Sequence, residues 1–142
     1  MIFGTDRTAL RRFYAESWRK ACNNEPLEAL EQQSAAVIGE HPEYQPLFQA
    51  AEAELEHDYA PEGGEGNPFL HMGMHLALRE QLSTGRPAGI RELWPRLLKK
   101  LGDAHAVEHR MMECLGQALW EAQRSNRMPD ETAYLECLRR LA

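Results

Sequence analysis

NPFLHMGMHLALREQ, residues 67–81, is the stretch on which the fold turns. Asn67 suits a helix N-cap and Pro68 the first helical position, because an asparagine side chain can accept from an early N–H and a proline has no N–H to lose there. Beyond them His71, His75, Leu78 and Leu82 recur at i, i+4, i+7 and i+11, the repeat of one helix face. That period predicts an amphipathic helix ending near Gly85, with the stripe turned to the core. The two imidazoles, one turn apart, then point the same way, about 5–6 Å apart at Cβ.

DAHAVEHRMMECLGQALW (103–120) repeats the device. His105, His109 and Glu113 stand at i, i+4 and i+8, and the row continues through Met112, Gly116 and Leu119, again as an inward stripe. Two such pairs on long helices can converge in a bundle interior, where helical proteins build metal sites from facing side chains. A neutral imidazole ligates zinc, iron, copper or nickel. Each ligand ring also needs its second nitrogen held by a carboxylate or carbonyl. Glu80, Glu108 and Glu113 are the nearby acids, and Glu113, on the stripe, is alternatively a direct ligand. The expected metal set is therefore His71, His75, His105, His109 and Glu113, holding a divalent ion such as zinc, iron or nickel. The competing reading is a structural histidine–carboxylate network. Buried imidazoles left without partners would cost about 1–3 kcal/mol each, so one or the other is required. His41, before a proline, is read first as closing a helix end and second as a further ligand. His57 is read as a solvated residue at a helix C-terminus.

The rest of the 142 residues reads as helix and loop. Helix formers outnumber Val, Ile and Thr, and no strand-like alternation occurs. Helices are expected from Thr5 or Asp6 to Asn23–Asn24, from Pro26 to about Gly39, over roughly 43–57, over 67–85, over 90–101, over 103–125 and over 130–141. YAPEGGEGNP (59–68) is the clearest loop. The expectation is an all-α, single-domain helical bundle of about five to seven helices spanning 1–142. The three cysteines, Cys22, Cys114 and Cys137, are odd in number and lack C-x-x-C spacing. They are read as reduced thiols of a cytoplasmic protein, with Cys114 and Cys137 as small core residues. The net charge of −6 argues against a nucleic-acid partner. No apolar run reaches the roughly 18–20 residues of a membrane span. MIFGTDRTALRR shows no apolar segment followed by a cleavage site, so no secretory signal is expected.

HPEY (41–44), NPFLHMGMHLALREQ (67–81), RPAGI (86–90), DAHAVEHRMMECLGQALWEAQR (103–124) and PDETAYLECLRR (129–140) together resemble a bacterial family, mainly proteobacterial, catalogued as domain of unknown function 1841. The likeness covers nearly the whole chain. It implies a small cytoplasmic bacterial protein and supplies no activity. In that family HPEY is expected often to be followed by another histidine, where this chain has Gln45.

Two functions remain in view. One is a metal-binding bundle protein, which as an enzyme would use its ion as a Lewis acid on a small-molecule substrate. The other is a metal-free or structurally stabilised module whose acidic surface meets a protein partner.

Overall fold

The protein is described by a computed structural model covering residues 7–48 and 68–142. Every regular element among these residues is helical: α1 (Arg7–Cys22), α2 (Ala29–Gly39), a 3-10 segment (Pro42–Phe48), α3 (Pro68–Thr84), α4 (Ile90–Leu101), α5 (Ala104–Ser125) and α6 (Glu131–Leu141). The fold is all-α, as composition and periodicity require. The expected loop 59–67, the helix beyond residue 48, the caps at Thr5, Asp6 and Asn67, and His57 lie outside the described residues. The chain forms two compact units, Met1–Leu76 and Ala77–Ala142.

In the first unit α1 packs on α2. Tyr14, Val37, Ile38, Phe69 and Met72 form the core, with Leu10, Phe13, Trp18 and Leu76 around it. Leu10, Phe13, Tyr14, Trp18 and Ala21 of α1 are spaced as one apolar stripe, but the buried face is not that stripe alone. It centres on Arg11, Tyr14 and Ser17, all within 2% of full burial. The polar pair is tolerated because each has a specific outlet. The Arg11 guanidinium lies 4.4 Å from the centroid of the Phe69 ring, a cation–π contact. The Ser17 hydroxyl donates to the Phe13 carbonyl at 2.8 Å, one turn back. Burial pushes the Tyr14 phenol up to about 12. α1 stops where the sequence places its end: Asn24 takes a left-handed φ of 56°, and the Glu25 N–H closes back on the Lys20 carbonyl at 2.9 Å. α2 begins later than Pro26. Its start is set by Glu31, whose carboxylate accepts the Glu28 N–H at 2.9 Å and the Lys20 ammonium at 2.8 Å. The Glu28 amide, and then Lys20, hold the Glu31 carboxyl below the usual range.

In the second unit α5 packs against both α4 and α6, and α4 also touches α6. Ile90, Leu93 and Leu97 of α4, Val107, Met111 and Leu115 of α5, and Leu138 of α6 are among its buried apolar residues. Local signals fix the helix ends of this unit. Gly85 and Gly102 end α3 and α4 in left-handed conformations. Asp103 and Asp130 cap α5 and α6 by accepting from the N–H groups of Ala106 and Ala133. Tyr134 is 4% exposed, and its hydroxyl donates to Gln81 Oε1 at 2.7 Å. Tyr134→Phe should therefore lower stability by about 1 kcal/mol in urea denaturation, through a lost donor to a half-buried amide. An unchanged midpoint would show that Gln81 exchanges the phenol for water without loss.

One expectation is corrected here. Cys114 and Cys137 are not reduced core residues but a disulfide, with Cα atoms 5.7 Å apart; Cys22 alone is a free, exposed thiol. The α5–α6 hairpin brings together two residues 23 apart in sequence, a spacing no local motif marks. A cytoplasmic setting therefore draws no support from the cysteines. No helix among the described residues is long and apolar enough to cross a membrane.

Candidate metal centre

The first unit gathers three imidazoles. His41 follows the last turn of α2, where its N–H bonds the Ile38 carbonyl at 3.0 Å. Its ring turns back so that Nδ1 lies 2.7 Å from the Val37 carbonyl. A carbonyl can only accept, so Nδ1 carries the proton, and in the neutral ring the lone pair sits on Nε2. This is the arrangement of a metal-ligating histidine whose outer nitrogen is fixed by the backbone. The ring is 2% exposed and stacks on Tyr44 at 5.4 Å with an interplanar angle of 10°. Burial, and then the charge of Glu43, raise the Tyr44 pKa, which keeps it a neutral phenol.

His71 and His75 come from the first turns of α3. His75 is fully buried and His71 half-buried. Their Nε2 atoms stand 3.1 Å apart. Two nitrogens each about 2.0–2.1 Å from one ion, at roughly 90–110°, would stand about 2.9–3.4 Å apart. The His41 ring centroid is 5.1 Å from that of His71 and 4.7 Å from that of His75. The nitrogens that His41 and His75 offer lie within 4.8 Å of each other. The structure thus brings together the two residues expected from the helix spacing and adds His41. The sequence showed why His41 would close a helix end. What it did not show is that the ring's own bond to Val37 selects the tautomer with its lone pair on Nε2.

The second unit holds the other pair. His105 and His109 lie one turn apart on α5, with ring centroids 4.2 Å apart and half-buried side chains. They too offer nitrogens within 4.8 Å of each other. The stripe expected to carry them inward is turned, however. The buried face of α5 runs through Val107, Glu108, Met111, Met112, Cys114 and Leu115. At about 100° per residue, the two histidines fall on its margin and Glu113 falls beyond it. Glu113 is exposed and pairs with Arg110 Nη1 at 3.0 Å; the structure does not bring it to the histidines. Of the other acids, Glu80 is exposed and Asp103 is engaged as a cap. Glu108 is buried against Arg79, whose Nε lies 3.1 Å from Oε2 and whose Nη2 lies 3.3 Å from Oε1. The histidines of either unit are thus placed so that they could hold a metal ion, and the donors in view are imidazole nitrogens.

No curated protein and no solved structure matches this chain. Residues 6–140 match the family described as Domain of unknown function (DUF1841). The motifs carrying His41, His71, His75, His105 and His109 all lie inside that match, and the chain belongs to the DUF1841 family.

Proposed function

We propose that this protein binds a divalent transition-metal ion through histidines of its first unit, with His41, His71 and His75 as ligands. The observation that carries the reading is the Nε2 pair of His71 and His75 at 3.1 Å, beside a third imidazole whose Nδ1–H bond to Val37 leaves Nε2 as its lone-pair nitrogen. An all-imidazole donor set suits zinc, iron or nickel and is a poor one for magnesium or calcium, which take oxygen. A wider form of the proposal takes His105 and His109, within their own unit, as a second imidazole pair able to hold an ion. It rests on the repeated four-residue spacing and on the closeness of that pair's own rings. Glu113, paired with Arg110 at the surface, is left out of the ligand set.

The test is elemental analysis of protein purified without a histidine tag, followed by titration of the chelator-treated protein with zinc, nickel and ferrous iron. Near-stoichiometric uptake of at least one ion is expected. Uptake should fall on acidification, because protons and metal compete for the same nitrogens. No saturable uptake of any of the three at neutral pH would end the reading. His105→Ala distinguishes the two forms: a lower metal-to-protein ratio supports a second ion at α5, and an unchanged ratio confines metal to the first unit.

A further inference from the structure

The disulfide lies at an opening. Along α5 and α6 runs a groove of about 690 Å³, lined by Cys114 and Cys137 together with Ala118, Ala122, Met128 and Tyr134. The two half-cystines differ in access. Cys114 is 1% exposed, whereas Cys137 is half-buried and sits on the groove side of the last helix. α6 is also held by contacts that do not involve sulfur. Tyr134 bonds Gln81 at 2.7 Å, Leu138 is fully buried, and Lys100 Nζ donates to the Leu141 carbonyl at 2.9 Å. Breaking the bridge therefore leaves α6 with packing and hydrogen bonds of its own.

We propose that Cys114–Cys137 is a reversible redox site, reduced in the folded protein by a dithiol that enters the α5–α6 groove and attacks at Cys137. A thiolate of the dithiol attacks Cys137 Sγ. The Cys137–Cys114 bond breaks, and Cys114 leaves as a thiolate and takes a proton in its buried position. The reagent's second thiolate then attacks its own sulfur in the mixed disulfide. This closes a cyclic disulfide and releases Cys137 as a thiol after protonation. Two electrons pass from the dithiol to the protein, and an oxidised dithiol reverses the exchange. The chemistry is independent of any metal at the histidines.

The experiment is thiol mapping by mass spectrometry on the full chain. Oxidised protein is treated with dithiothreitol without denaturant, alkylated, and compared with samples reduced in guanidinium. The expected result is loss of the bridge within minutes under native conditions, read as alkylation of both Cys114 and Cys137 after acid quenching and unfolding, with helical circular dichroism retained before the quench and the bridge recovered on adding oxidised dithiothreitol. Cys114→Ala and Cys137→Ala are then treated with a monothiol disulfide reporter. Cys137 of the first variant should form a mixed disulfide at least tenfold faster than Cys114 of the second. Reduction only in guanidinium would overturn the proposal and make the bridge purely structural. Equal or reversed reporter rates would overturn the assignment of Cys137 as the attacked sulfur. Free thiols at both positions in air-oxidised protein would overturn the site altogether.

Discussion

His71→Ala and His75→Ala are each expected to erase the metal-dependent part of the protein's stability. An ion that binds only the folded chain adds RT ln(1 + [L]/Kd), about 2.7 kcal/mol at a hundredfold excess over Kd. For a chain of this length that is a rise in melting temperature on the order of 8 °C. Wild-type protein should show that rise when zinc replaces chelator, and neither variant should. Because the two Nε2 atoms would face one ion from 3.1 Å apart, either loss already opens the site. The double variant should then lose no more metal-dependent stability than one single variant does, which is strong non-additivity between neighbours. A histidine network with no ion gives a different result. Each substitution would then lower the melting temperature equally in zinc and in chelator, since removing one ring would leave its neighbour's nitrogen to find another partner. Coincident wild-type melts with and without metal would favour that network.

Arg79→Ala should destabilise the folded chain by about 3 kcal/mol, more than any surface ion pair contributes. The side chain of Glu108 is 9% exposed and that of Arg79 is 23% exposed. Removing the guanidinium strips a buried carboxylate of its cation, and that penalty is what the measurement would read. Arg79→Lys should fall between, because an ammonium keeps the charge and loses the two-nitrogen grip. Replacing both partners by leucine should recover most of the loss, since the desolvation of both ions disappears with them. Urea denaturation of the three variants gives the comparison. A loss below about 0.5 kcal/mol for Arg79→Ala, the scale of an exposed pair, would show that water reaches Glu108 and that the pair is not a clamp between α3 and α5.

The residues by themselves determined the helices and most of their ends. Asp103, Asp130, Gly85 and Gly102 act on N–H and C=O groups within four positions of themselves, so their effect is local and reads directly from order along the chain. The four-residue spacing of His71 and His75, and of His105 and His109, is legible for the same reason: a helix turn fixes it. What spacing leaves open is phase. Val107, Met111 and Leu115 make as regular a row as His105, His109 and Glu113. Only the packing of α4 and α6 against α5 decided which row is buried, and it left Glu113 outside with Arg110. Tertiary structure likewise decided the sites made from distant positions. It folded the His41 ring onto Val37 and beside His71 and His75, thirty or more residues further on. It buried Arg11 beneath Phe69 and closed Cys114 onto Cys137 across a helical hairpin. Contacts of that range depend on how helix faces meet, and that is settled by the summed burial of every side chain at the interface rather than by any one motif.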